Sequence, residues 1–328
     1  MTRLTHFLLA GATLCATLAP AIASACACGC GIFDTGVASV QPQASDSGLS
    51  VFARFSTMNQ RENREQGHAA SADDNADKRI RTDFYTLGAT YAVSRTWLVM
   101  AELPIYHRRF TTTGSDLAGR DVIETVPLTA AGDALVRVTY TGLAQDRSSG
   151  LGLGVKLPTG RIDSPFDSYG GQPYDRDTMP GTGSTDLELS GYHVGHLAGA
   201  ARWFVQAQYR FAVATRGAYR PGNEFNGAAG VTYDLPVGRA TLAPTLALIA
   251  STRARDSGDH ADPLNSGYQR LLIAPGLHVQ LSRKVAIYGE FALPVADYVN
   301  AAKPSDNADS AGQLVSPALF KLQVTVGF

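Results

Sequence analysis

The chain has 328 residues, a formal net charge of -1 and only 17% charged side chains, so no basic surplus points to nucleic acid as a partner. Past the N-terminus no apolar run reaches the ~18 residues that a spanning helix needs, which excludes a helical membrane protein. Low charge, 33 glycines and 13 each of Tyr and Phe, without long apolar runs, suit a β-rich protein.

The first element is a leader. Arg3 and His6 precede an apolar stretch from Phe7 to Leu18, Pro20 breaks it, and Ala23-Ser24-Ala25 follows. A charged start, an apolar centre and a small-residue site predict a secretory signal peptide over residues 1–25. The competing reading is an uncleaved anchor. Cleavage after Ala25 takes the chain out of the reducing cytosol and leaves Cys26 first. The stretch "SACACGC" (24–30) then sets Cys26, Cys28 and Cys30 on one face of an extended segment. Cys15 leaves with the leader, so an odd number of thiols remains.

Four readings of the cysteines compete. Thiolates are the ligands that copper or zinc prefers, although three sulfurs leave a tetrahedral zinc site incomplete. A disulfide or redox role implies a periplasmic redox or metal-handling partner. Lipidation of Cys26 would set it at the membrane, but Ala23 replaces the usual Leu of a lipid-attachment motif. Finally, residues 26–48 can form a plug, with Ile32 and Phe33 in a barrel mouth.

From residue 49 onward the dominant period is two. "LGLGVKL" (151–157) sets Leu151, Leu153, Val155 and Leu157 against Gly152, Gly154 and Lys156, and "RWFVQAQYRF" (202–211) sets Trp203, Val205, Tyr209 and Phe211 against Arg202, Gln206, Gln208 and Arg210. Such alternation marks strands with one apolar and one polar face. About twelve segments show it: 49–57, 83–93, 97–110, 132–143, 149–158, 184–195, 200–214, 225–235, 239–253, 268–281, 285–298 and 316–328. Most exceed the five or six residues of an ordinary strand and match the roughly nine to eleven that cross a bilayer at a tilt. Short connections (94–96, 144–148, 196–199, 236–238, 282–284) alternate with long polar ones (58–82, 111–131, 159–183, 215–224, 254–267, 299–315). Short periplasmic turns and long outer loops are the signature of an outer-membrane barrel.

These features predict an all-β fold: a transmembrane antiparallel up-and-down β-barrel of about twelve strands over residues 49–328, with both termini periplasmic. Hydrocarbon satisfies no backbone N–H or C=O, so the strands must close on one another. A soluble sandwich also alternates, but its strands are shorter and its loops are not sorted by length. The partners implied are outer-membrane lipid, a small solute, and the barrel assembly machinery, which would read the final strand ending at Phe328.

If the apolar face meets lipid, the opposite face lines the lumen. Parity assigns Glu102, Arg137, Lys156, Asp186, Glu188, Arg202, Arg210, Arg270, His278, Glu290 and Lys321 to it. Both signs are present, so a self-paired interior competes with a hydrated path that has an ion or solute preference. Pro104, Pro158 and Pro294 each follow Leu near strand ends and call for bulges, because proline cannot donate to the ladder. His260 with Asp256, Asp259 and Asp262, and His68 with Asp73 and Asp74, are weak candidates for a divalent cation beside solvated acidic loops. His193 and His196 flank a short turn and read as exposed polar residues. No P-loop, nucleophile elbow or zinc-protease motif occurs in context, and the chain reads as no enzyme.

"AGDALVRVTY" (131–140) followed by "LGLGVKLPTG" (151–160) resembles the paired signature of the outer-membrane transporter family associated with the meta-pathway of phenol degradation. "GTGSTDLELSGYHVG" (181–195), "YRPGNEFNGAAGVTYDLP" (219–236), "LIAPGLHVQLSRKVAIYGEFALPV" (272–295) and the closing "VTVGF" fit the same template. The resemblance spans roughly residues 49–328 and implies a barrel that transports small compounds; the family's name suggests aromatics. Function is therefore expected to be passive passage of a small solute, such as a small aromatic or a metal ion. The alternative is a barrel that anchors a tri-cysteine metal or redox module.

Overall fold

The computed structural model describes residues 48–115, 118, 120–163, 176–259, 261–302 and 311–328. The predicted leader, Cys26, Cys28, Cys30, the predicted plug segment up to residue 47, and His260 lie outside the described residues. Within them the chain forms twelve barrel strands. The first three are β1 (Gly48–Gln60), β2 (Asp77–Ala92) and β3 (Trp97–Ser115). Next come β4, in two pieces, Asp121–Ala131 and Ala134–Tyr140, and β5 (Ser149–Leu157). β6 (Ser184–Ala198), β7 (Ala201–Thr215) and β8 (Glu224–Tyr233, continued by Leu235–Val237) follow. The last four are β9 (Ala240–Arg253), β10 (Tyr268–Gln280), β11 (Val285–Val299) and β12 (Leu319–Gly327).

Every consecutive pair is antiparallel, and β12 returns to β1 with Ser50 opposite Gly327 and Met58 opposite Leu319. The sheet is thus closed, and no strand edge faces hydrocarbon. Both described ends, Gly48 and Phe328, lie at the end of the barrel that carries the short turns, where the Phe328 N–H donates to the Leu49 carbonyl at 2.9 Å. One of those turns is held by Asp146. The hydroxyl and backbone N–H of Ser148 donate to its carboxylate and keep its pKa below the usual range.

Parity sorts the side chains as a bilayer requires. Leu87, Leu151, Leu153 and Leu248 point outward and are 61%, 57%, 54% and 52% exposed, whereas inward Thr86, Lys156 and Gln323 are buried. Exposed leucines around a buried polar centre are the inverse of a soluble domain. The interior is not wholly polar, however. Phe84, Phe204, Ile249 and Leu272 belong to an inner apolar cluster, with Tyr106 and Tyr192 packed against it. A barrel of this size is narrow enough for side chains from facing walls to meet and fill it.

Two differences from the sequence reading concern the long loops. Residues 111–131, read as a loop, instead extend β3 and form the first piece of β4, paired from Ile105–Ala131 to Ser115–Asp121. Thr, Val and Ile there favour a strand, but with solvent on both sides they lose the two-face contrast on which parity rests. Glu62–Glu65 pairs with His68–Ala69 and with Gln313–Val315, so two other long loops join in a small sheet across the long-loop end. Asn63 holds it: its amide donates to Ser71 O and Ala311 O at 2.8 and 3.1 Å, and its oxygen accepts from Asn75 at 3.0 Å.

The prolines sit where the ladder changes. Pro104 lies at the break between the two pieces of β4, with its carbonyl accepting from Gly132 N–H at 2.8 Å. Pro158 follows the end of β5. Pro294 marks a register shift, pairing with Leu272 while Ala296 pairs with Leu271 and Val295 is left over.

Candidate functional site

In the long-loop half of the lumen, residues from β1 to β9 surround a cavity of about 170 Å³. Six residues assigned inward by parity line it together: Glu102, Arg137, Lys156, Asp186, Glu188 and Arg210. They do so in pairs. Arg54 on β1 meets Glu102 on β3 at 2.5 Å, and Arg210 on β7 meets Glu224 on β8 at 3.2 Å. Arg137 on β4 donates through Nε to Glu188 on β6 at 2.8 Å and also bonds it through Nη2. Phe84, Pro104, Tyr106 and Leu135 supply an apolar flank, with the rings of Phe84 and Tyr106 edge to face at 4.8 Å between centroids.

The most heavily bonded point is Asp133. Its carboxylate accepts from Lys156 Nζ at 2.8 Å, from Gly160 N–H and Thr182 N–H at 2.9 Å each, and from Thr182 Oγ1 at 2.7 Å. Lys156 in turn reaches Asp186 at 3.1 Å and bonds the Thr182 and Ser184 hydroxyls. This knot ties residues 178–184 into the mouth of the barrel, where Thr178, Met179 and Ser184 are buried and Pro180 and Thr182 line the cavity. The two chain segments cross at Gly160 and Gly181, where a Cβ on Gly160 would stand 2.6 Å from Gly181 Cα. Arg108 adds a bond to the Thr178 carbonyl. The GD, PTG and GTGSTD stretches of the sequence therefore meet at one place, where residues 178–184 turn inward.

The remaining lumen assignments lie elsewhere. Arg202 makes a two-pronged pair with Asp234 at 2.8 and 2.7 Å near the short-turn end, and His278 faces inward at that same end of β10. Glu290 accepts from Tyr288 Oη at 2.5 Å and lies 3.6 Å from Lys321 Nζ, both deep in the wall. Arg270 lies 3.4 Å from Asp297 close to the long-loop rim.

Two of the loop acidic groups, Asp256 and Asp262, have structural partners. Asp256 accepts from Tyr219 Oη and Gly222 N–H at 2.7 Å each and pairs with Arg253 at 2.7 Å, while Asp262 accepts from the Leu264 and Asn265 N–H groups. His68 is exposed. His193 bonds Ser149 Oγ at 2.7 Å. Among the described residues no three His, Cys, Asp or Glu side chains gather as metal ligands do.

Sequence parity overlooked Arg54, Asp133, Glu224 and Arg253. Arg54 was legible, since it alternates with outward Val51, Ala53 and Phe55. Glu224 and Arg253 stood at strand boundaries. Asp133 stands at the break between the two pieces of β4, and only the folded chain shows what it holds.

No family model matches the sequence, and no curated protein is similar to it. Among solved structures, the fold is similar to that of an outer membrane channel from Pseudomonas putida F1, with a TM-score of 0.62 at 12% identity, over 90% of this chain and 100% of that one. The β domain of the Bordetella autotransporter BrkA aligns with a TM-score of 0.50 at 13% identity, over 86% of this chain and 100% of that one. The likeness places the fold among the closed barrels of Gram-negative outer membranes.

Proposed function

We propose that the chain is an outer-membrane channel for passive passage of a small amphipathic solute, with its short-turn end and both termini in the periplasm. The observation that carries this reading is the cavity inside the closed barrel, walled by ion pairs and by the apolar side chains of Phe84, Pro104, Tyr106 and Leu135. Its volume, about 170 Å³, is close to the ~150 Å³ in which a single aromatic ring fits. The ion pairs leave fixed dipoles that a polar substituent can engage, whereas a bare hydrocarbon would leave the charges undersolvated. Residues 178–184 form the constriction. The C-terminal strand ending at Phe328 would serve as the signal for barrel assembly.

Planar-bilayer recording of the refolded chain tests the reading. Discrete conductance steps, reduced by millimolar single-ring solutes that carry a polar group, are expected. A silent barrel, or one indifferent to such solutes, would contradict it.

A second reading rests on the "SACACGC" stretch. Its Cys26, Cys28 and Cys30 supply the thiolates that copper or zinc prefers. Stoichiometric metal in the purified protein, lost on triple Cys→Ser substitution, would favour that role.

A further inference from the structure

Toward the long-loop end, the outward face of β1 to β4 changes from apolar to basic over two rows of side chains. Phe55, Tyr85, Ile105 and Ala131 stand opposite one another on the four strands and form the last apolar row. The Phe55 and Tyr85 ring centroids are 5.4 Å apart, and Tyr85 and Ile105 are exposed. The next row, about 6.6 Å further along the strands, is Thr57, Asp83, His107 and Thr129. The row after it is Asn59, Arg81, Arg109 and Pro127, and beyond that Arg79 stands opposite Thr111. Arg79, Arg81 and Arg109 are all exposed. Arg81 and Arg109 are direct cross-strand partners, so their Cβ atoms stand about 4.5–5.5 Å apart, and like charges so placed repel. Asp83 is the one carboxylate in these rows. It lies 3.6 Å from Arg81 Nε and accepts from Thr57 Oγ1 at 2.5 Å. Arg79 donates to Asn59 Oδ1 at 2.7 Å, whereas Arg109 has no ion pair or side-chain hydrogen bond among the described residues. Of the other acids on these strands, Glu124, opposite Thr112, belongs by parity to the other face of the hairpin, and Asp77 is buried.

We infer that this patch binds the phosphate-monoester headgroup of a membrane lipid, with the phosphate bridging Arg81 and Arg109 and the acyl chains lying on the row of Phe55, Tyr85 and Ile105. Three considerations converge. Three arginines against one aspartate leave two net positive charges, and a phosphate monoester carries about −1.5 to −2 near neutral pH. Each guanidinium offers a fork that takes two phosphate oxygens at once, and an anion held between Arg81 and Arg109 turns their mutual repulsion into a shared attraction. The arginines also lie just beyond the apolar belt, at the depth of headgroups, and every residue invoked is on the same, outward face of the sheet. The inference depends neither on whether the lumen conducts nor on which end of the barrel is periplasmic.

The test is calorimetric titration of the refolded full chain in neutral-detergent micelles with dioctanoyl phosphatidic acid, dioctanoyl phosphatidylcholine, dioctanoylglycerol and inorganic phosphate. Saturable one-to-one binding of the phosphatidic acid is expected. The phosphatidylcholine and the uncharged dioctanoylglycerol should each bind at least about tenfold more weakly, the factor that one charge-assisted hydrogen bond supplies. Arg81→Gln and Arg109→Gln should each weaken the phosphatidic acid by about tenfold, and Asp83→Asn should tighten it, a gain that a purely structural role would not produce. Arg283→Gln, at an exposed short turn on the opposite end of the barrel, should leave it unchanged. Both tested arginines are exposed, so the variants should keep the heat-modifiable band of the folded barrel. Equal binding of the phosphatidic acid and the phosphatidylcholine, indifference to Arg81→Gln and Arg109→Gln, an equal loss with Arg283→Gln, or saturation by inorganic phosphate as tightly as by the lipid would overturn it.

Discussion

Lys156 shows how much one inward side chain can hold. It neutralises Asp133 and Asp186 at once, and all three are buried. Lys156→Met removes one cation and leaves two carboxylates facing each other, a change that costs about 3–5 kcal/mol when a buried pair is broken. A lower urea midpoint for loss of the heat-modifiable gel band would report it. The lumen pairs make a prediction of definite sign. Arg54→Gln leaves Glu102 unmatched beside the cavity and should turn the channel toward cations, whereas Glu102→Gln leaves Arg54 and should turn it toward anions. Opposite shifts in reversal potential across a salt gradient are expected; shifts of the same sign would mean that this pair does not face the conducting path.

At the scale of elements, the wall and the inward loop answer to different solvents. Leu248, midway along β9 and facing lipid, should tolerate Leu248→Arg poorly, by about 2–4 kcal/mol at mid-depth. Thr245→Ser, facing inward on the same strand, should change stability little by comparison. The inward loop depends on the Gly160–Gly181 crossing. Gly160→Val has no room beside the Gly181 backbone, so residues 178–184 should be displaced from the mouth. Single-channel conductance should rise while the barrel still folds, because the strands below the crossing keep their pairing. Alternation revealed these strands wherever one face met lipid and the other met charge, as in β5. It failed along 111–131, where both faces of the hairpin are wet.

For the whole molecule, closure is the controlling fact. Removing residues 319–328 deletes β12 and leaves β1 and β11 with unpaired edges, so the truncated chain should not form a heat-modifiable barrel in vesicles. The sequence by itself determined the class of fold, the number of strands, the sorting of short turns from long loops and the inward rows of charge. All of these follow from period two and length, which are local properties imposed by a bilayer on any strand that crosses it. Only the tertiary structure decided which charges pair, since partners such as Arg54 and Glu102 lie 48 residues apart and meet through the sheet's register. It alone brought GD, PTG and GTGSTD to one knot, because a loop's path depends on contacts between segments that no local period encodes.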